Sequence, residues 1–160
     1  MAQKLTLMAD VFSPEHDKII NFSGDHPSKV LKLIPSLLKS IFKMSSTNVY
    51  EDDFKWDRSG DPVDFFAIWR GQDKKDNKTA VWIMVKAQGK QNVKDKKGYV
   101  TIMIHPYIKT SFPYSNSFDK ALIKTYSHFF YGNQRKKYIE RELIRLKEFE
   151  DEIKTELGIR

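Results

Sequence analysis

The densest run of chemically capable side chains is Gly132-Asn133-Gln134-Arg135-Lys136-Lys137-Tyr138, followed by Arg141 and Arg145. The spacing predicts a helix from Gln134 to about Leu157. Its bases stand at the N-terminal end, and Glu148, Glu150, Asp151, Glu152 and Glu156 crowd its second half. That order opposes the helix dipole, which favours the reverse by about 0.3–1 kcal/mol per exposed charge. Free backbone N–H groups at such a start, with Arg135, Lys136, Lys137, Tyr138 and Arg141, would form an anion site for phosphate or nucleic acid. Tyr131 and Tyr138 would add stacking for a nucleotide. The competing reading pairs this basic half with Glu51-Asp52-Asp53 elsewhere in the fold.

Other reactive types are present without a catalytic pattern. His16, His26, His105 and His128 have neither HxH nor HExxH spacing, which argues against a metal site. Asp52, Asp53, Asp57, Asp61 and Asp64 could act as paired acid and base, but Asp-rich connections between strands are ordinary turn chemistry. The absence of Cys excludes disulfides, thiolate catalysis and Cys-ligated metals. Gly-rich phosphate loops, nucleophile elbows and kinase signatures are absent. The expectation is a binding protein rather than an enzyme, with no cofactor.

The elements that must position these residues centre on residues 63–104. Three runs, 63–70, 79–87 and 99–105, are rich in Val, Ile and aromatics at period two. The linkers 71–78 and 88–98 are dense in Lys, Asp, Asn, Gln and Gly, as at exposed hairpin ends. The pattern predicts an antiparallel meander that is apolar on both faces. An antiparallel sheet commonly solvates one face, so the second face needs a helix, curvature, a second subunit or a ligand. Trp56, Phe66, Trp69, Trp82, Met84, Tyr99, Met103 and His105 are the candidates for lining a cavity there, and equally good material for a plain core.

Upstream, residues 4–11 alternate as a strand and 18–23 form a second short run, either paired as a hairpin or with only one joining the sheet. Pro27 opens a helix to about Lys43, with Val30, Ile34, Leu37, Leu38 and Ile41 as its apolar stripe and Pro35 expected to kink or split it. Lys29, Lys32, Lys39 and Lys43 lie on its polar face. Residues 47–56 read as a strand with Tyr50, Phe54 and Trp56 on one side. After a loop at 110–115, Asn116 or Ser117 caps a helix carrying Phe118, Leu122, Tyr126 and Phe129. Gly132-Asn133 interrupts it, and the last helix buries Ile139, Leu143, Leu146, Phe149, Ile153 and Leu157 before Gly158 ends it.

The fold class is therefore α+β: an antiparallel meander of about four to six strands packed on a long C-terminal helix, in β-α-β4-α order. At 160 residues one domain is expected. No run approaches the 18 residues or so of a membrane span and residues 1–10 lack a signal-peptide core, so a cytoplasmic protein is expected. The net charge of +7 favours anionic partners, unless it is only a solvated Lys-rich surface.

This order of elements resembles the TATA-binding-protein-like folds and, within them, the helix-grip proteins, the START-like and plant pollen-allergen-like ligand carriers. The resemblance covers nearly the whole chain and rests on topology, without a residue motif. It implies a curved sheet wrapped on the C-terminal helix, with a small apolar ligand held between them. A nucleic-acid or phosphate-binding module using the basic helix faces, and a homodimer whose partner covers the second face, are the alternatives.

Overall fold

The computed structural model describes residues 3–159 and, for residue 130, the backbone alone. The strands are β1 (Gln3–Asp10), β2 (Lys18–Asp25), β3 (Val49–Asp57), β4 (Val63–Lys74), β5 (Thr79–Gln91) and β6 (Lys97–Tyr114). The helices are α1 (Val30–Ile41), α2 (Ser117–Tyr126) and α3 (Gly132–Leu157). The α+β expectation holds. No helix among the described residues is long and apolar enough to cross a membrane.

β6 is the spine of a six-stranded sheet in which all neighbours are antiparallel. β5, β4 and β3 follow in order from one edge of it. Along its other edge β1 and β2 lie end to end, β1 opposite residues 107–114 and β2 opposite 97–104. The two N-terminal segments thus form no hairpin with each other, and both join the sheet as one edge strand interrupted at residues 11–17. This arrangement also overturns the expected loop over 110–115. β5 ends at Thr79, opposite Thr110, but β1 continues the pairing, so Pro113 sits where β6 borders only one strand.

Period-two alternation divides the sheet into two faces. Phe65, Ala67 and Trp69 of β4, Val81, Ile83, Val85 and Ala87 of β5, and Val100, Ile102, Ile104 and Ile108 of β6 are buried on the helix side. Against them pack Val30, Ile34, Leu38 and Phe42 of the α1 region and Leu146, Phe149, Ile153 and Leu157 of α3. The Phe42 and Phe149 rings meet at 5.5 Å. Of the two outcomes expected at Pro35, a kink or a split, the split does not occur, and α1 runs unbroken through it. Burial of Ile34 and Leu38 on either side of that proline outweighs the single backbone bond it removes.

β3 carries a bulge between Glu51 and Asp53 that changes the reading of its faces. Tyr50 pairs with Arg70 on the open face, whereas Phe54 and Trp56 pair with Ala67 and Phe65 and point to the helix side. Simple alternation puts all three together, and the extra residue separates them.

The C-terminal helices are continuous rather than broken at Gly132. A π-helical segment, Ser127–Tyr131, joins α2 to α3, and Gly132 has ordinary right-handed helical angles. The buried stripe of α3 is Tyr138, Glu142, Leu146, Phe149, Ile153 and Leu157, so it matches the expected one from Leu146 onward and differs in its first two turns. Leu143 is exposed and Ile139 only half-buried. Gly158 closes the helix at φ 73° as expected.

Gly89 sits against the backbone of the neighbouring strand. A Cβ built at Gly89 would lie 2.1 Å from the Tyr99 carbonyl oxygen and 2.7 Å from the Phe65 ring. Gly89→Ala is expected to cost about 3 kcal/mol, because backbone of the neighbouring strand cannot move aside as a flexible side chain can. Urea unfolding checks this, and an unchanged midpoint would refute it.

Candidate functional site

A groove of about 780 Å³ lies at the sheet edge, between the start of α1 and β3. Its apolar surface comes from Leu31, Phe54 and Trp56, and its rim from Asp25, His26, Lys29 and Lys32. Each part has a local origin. The β3 bulge turns Phe54 and Trp56 to the helix side at the sheet edge, where Phe54 stays 47% exposed. His26 takes a left-handed conformation, φ 51° and ψ 52°, that swings the chain from β2 into the Pro27–Lys29 turn. The turn is anchored by the Ser28 amide donating to Gln91 Oε1 at 3.1 Å. Lys29 Nζ donates to the Glu156 carbonyl at the end of α3.

Trp56 supplies the polar feature of this groove. Its ring stacks on Phe65 at 6.1 Å, and the Arg58 guanidinium lies 5.9 Å from it. Its Nε1 is buried and has no hydrogen-bond partner. A donor withdrawn from water without an acceptor is costly. The groove offers apolar surface with cations at the rim.

A second constellation lies at the tip of the β4–β5 hairpin, where it meets the helices. Asp76 Oδ2 accepts hydrogen bonds from Tyr131 Oη at 2.5 Å and Tyr138 Oη at 2.9 Å. Its Oδ1 accepts from the amides of Lys78 and Thr79. Burial raises the Asp76 carboxyl, but the hydrogen bonds from Tyr131, Lys78, Tyr138 and Thr79 outweigh it and hold the group below its ordinary value. Burial, and then the bond to Asp76, push the Tyr131 phenol up to about 12. Beside this cluster, Lys75 Nζ bonds Asp73 at 2.6 Å and Glu142 Oε1, and Arg145 reaches Asp73 at 3.1 Å and Glu142 at 3.3 Å. Glu142 is fully buried, and burial raises its carboxyl despite Lys75. These groups tie hairpin to helix and bond mostly one another, which is the signature of a structural clamp.

The cavity candidates do not converge. Trp69 is 1% exposed in the core, and Trp56 lines the groove. Phe66, Trp82, Met84, Tyr99, Met103 and His105 stand on the opposite, open face, because they alternate with the buried positions. The space between sheet and α3 is filled by Trp69, Phe42, Phe149 and their neighbours. On the open face Tyr50, Trp82 and Tyr107 form a row of near-parallel rings, with Arg70 over the first two and bonded to Asp52.

The anion candidates also separate. The π turn carries the helix straight through Gly132, so α3 presents no free amides there. Tyr138 faces Asp76, and Lys136, Lys137 and Arg141 are exposed on the other side. Arg135 is half-buried, burial lowers its pKa, and its Nε and Nη2 have no partner. Of the histidines, His105 bonds Asp17 at 2.7 Å and the His16 carbonyl at 3.0 Å, while His16 bonds Asp10 at 2.5 Å. No group among the described residues could hold a metal ion.

Sequence reasoning missed the groove and the clamp. The bulge that builds the groove has no mark in a period-two count. The clamp left one available signal, Tyr131, Tyr138, Glu142 and Arg145 at helical spacing ahead of an apolar stripe.

No family model matches the chain, and no curated protein matches it. A solved structure of a protein of unknown function, SA2116 from Staphylococcus aureus, aligns over 98% of this chain and 95% of its own, at 11% identity and a TM-score of 0.33.

Proposed function

We propose that the chain is a non-enzymatic binding protein of helix-grip type, which takes a small, largely apolar molecule bearing an anionic end into the groove between α1 and β3. The observation that carries this reading is a groove of about 780 Å³ with Leu31, Phe54 and Trp56 in its lining, where Phe54 stays 47% exposed. Lys32, exposed at the rim, suits an anionic end. The N-terminal strand segments lie beside the last strand, and the long C-terminal helix crosses the face that α1 also covers. Both features favour the helix-grip reading, with the ligand displaced to the sheet edge because aromatic side chains fill the centre.

Anilinonaphthalene sulfonate, apolar with one anionic group, is a suitable probe. Trp56→Ala combined with Phe54→Ser is expected to weaken its binding about tenfold or more, as loss of two aromatic contacts requires. Lys32→Glu should weaken it less. Fluorescence titration reads both, with circular dichroism confirming the fold. Equal affinity in wild type and double variant would refute the groove as the site. Native mass spectrometry of the purified protein supplies a second test. A mass excess over 18.8 kDa that is lost on denaturation supports a carried ligand, whereas a ligand-free dimer favours subunit pairing across the open face instead.

A further inference from the structure

α2 is folded with its apolar side outward. None of its residues is buried, and Phe118 is 71%, Leu122 53% and Phe129, just beyond it, 68% exposed. The side turned toward the protein carries Asp119, Lys120, Ile123 and Ser127, which are half-buried. The arrangement is well defined locally. The Asn116 side chain accepts from the Asp119 amide at 2.9 Å, Asp119 accepts from the Ser115 amide at 3.3 Å, and Lys120 Nζ lies 5.4 Å from the Tyr114 ring. An amphipathic helix normally buries its apolar stripe. This one is anchored through its polar side and displays the stripe. Ile144, 73% exposed, lies farther along the same continuous helix.

The exposed charges that share this continuous helix favour one kind of cover. Lys124, Lys136, Lys137 and Arg141 are all exposed and form no ion pair among the described residues. Asp119 is committed to the helix cap, which leaves Glu140 as the exposed acid of residues 117–141. A second copy paired about a twofold axis would set this cationic patch against itself. A nucleic acid would meet Phe118, Leu122 and Ile144 where its phosphates need donors. An anionic lipid surface satisfies both features, with apolar side chains entering the acyl boundary and cations resting at the headgroups.

We propose that the outward face of α2 and the start of α3 form a docking surface for membranes bearing anionic phospholipid. The side chains that enter are Phe118, Leu122 and Phe129, and the cations that select charge are Lys124, Lys136, Lys137 and Arg141.

The test is sedimentation of the full chain with vesicles of phosphatidylcholine alone and of equal parts phosphatidylcholine and phosphatidylserine. Binding should be at least about tenfold tighter to the mixed vesicles and should weaken as salt is raised. Phe118→Ser with Phe129→Ser, and separately Lys136→Glu with Lys137→Glu, should each reduce it by about tenfold or more. All four positions are exposed, so thermal unfolding should be unchanged, and a variant that melts with wild type yet no longer sediments supports the proposal. Failure of wild type to bind either vesicle overturns it. So does a solution dimer abolished by the phenylalanine substitutions, which would identify a second copy as the occupant. Equal binding to both vesicles overturns the charge selection.

Discussion

Replacing Asp76 by Ala is expected to cost about 3 kcal/mol, since one carboxylate accepts from two phenols and two backbone amides at a partly buried site. The loss should be regional. Asp76 joins the β4–β5 hairpin to Tyr131 in the π turn and Tyr138 in α3, so hydrogen exchange should accelerate first across residues 127–138. Tyr131→Phe removes the bonds to Asp76 and Thr79 but leaves Tyr138 in place, and should cost about 1–2 kcal/mol. The pH dependence has a definite sign. The folded pKa of Asp76 lies below its ordinary value, so its contribution is present above about pH 4 and lost as pH falls through the folded pKa. Wild type and Asp76→Ala should therefore differ by a constant amount from about pH 4 to 7 and converge in acid. Denaturant titrations across that range decide it, and a gap persisting below the folded pKa would sink the assignment.

The clamp also explains where sequence reading succeeds and where it stops. The strands of β4, β5 and β6 were legible because each carries many residues of one period, and α1 was legible from Val30, Ile34 and Leu38. Two single-residue insertions then defeated the same counting. The bulge near Asp52 moved Phe54 and Trp56 to the face opposite Tyr50 and so made the groove. The π turn carried α2 straight into α3 where a break at Gly132 was expected, and the bonds of Tyr138 to Asp76 and of Glu142 to Lys75 placed those two in the buried stripe instead of Ile139 and Leu143. Neither insertion changes composition, and each is stabilised by contacts from chain far away in sequence. The basic cluster at Arg135–Arg141 was visible for the same reason that it misled. Local spacing gives the charges, but the continuation of α2 into α3 decides whether amides are free. The open face obeys a different logic. Alternation announced that both faces were apolar, and only the three-dimensional count of helices showed that two of them serve one side.

Lys75→Met should be the most damaging single change at neutral pH. The Lys75 side chain is 12% exposed and bridges Asp73 to Glu142, whose side chain is fully buried. Removing one partner of a buried pair costs about 3–5 kcal/mol, chiefly because the remaining charge is left uncompensated. Here that charge is Glu142, with only Arg145 at 3.3 Å to offset it. Burial already raises the Glu142 carboxyl and Lys75 opposes the rise, so the variant raises it further. A carboxyl whose folded pKa exceeds its unfolded value binds a proton in the native state between the two, and stability falls as pH rises through that window. The Lys75→Met deficit should thus be small near pH 4 and grow toward pH 7, a window above the ordinary carboxylate range, whereas that of Asp76→Ala lies below it. Lys75→Met with Glu142→Leu removes both charges and leaves Asp73 paired with Arg145, so stability should return to within about 1 kcal/mol of wild type. A double variant as unstable as the single would mean that the cluster matters for the seating of α3 on the hairpin rather than for compensating a buried charge.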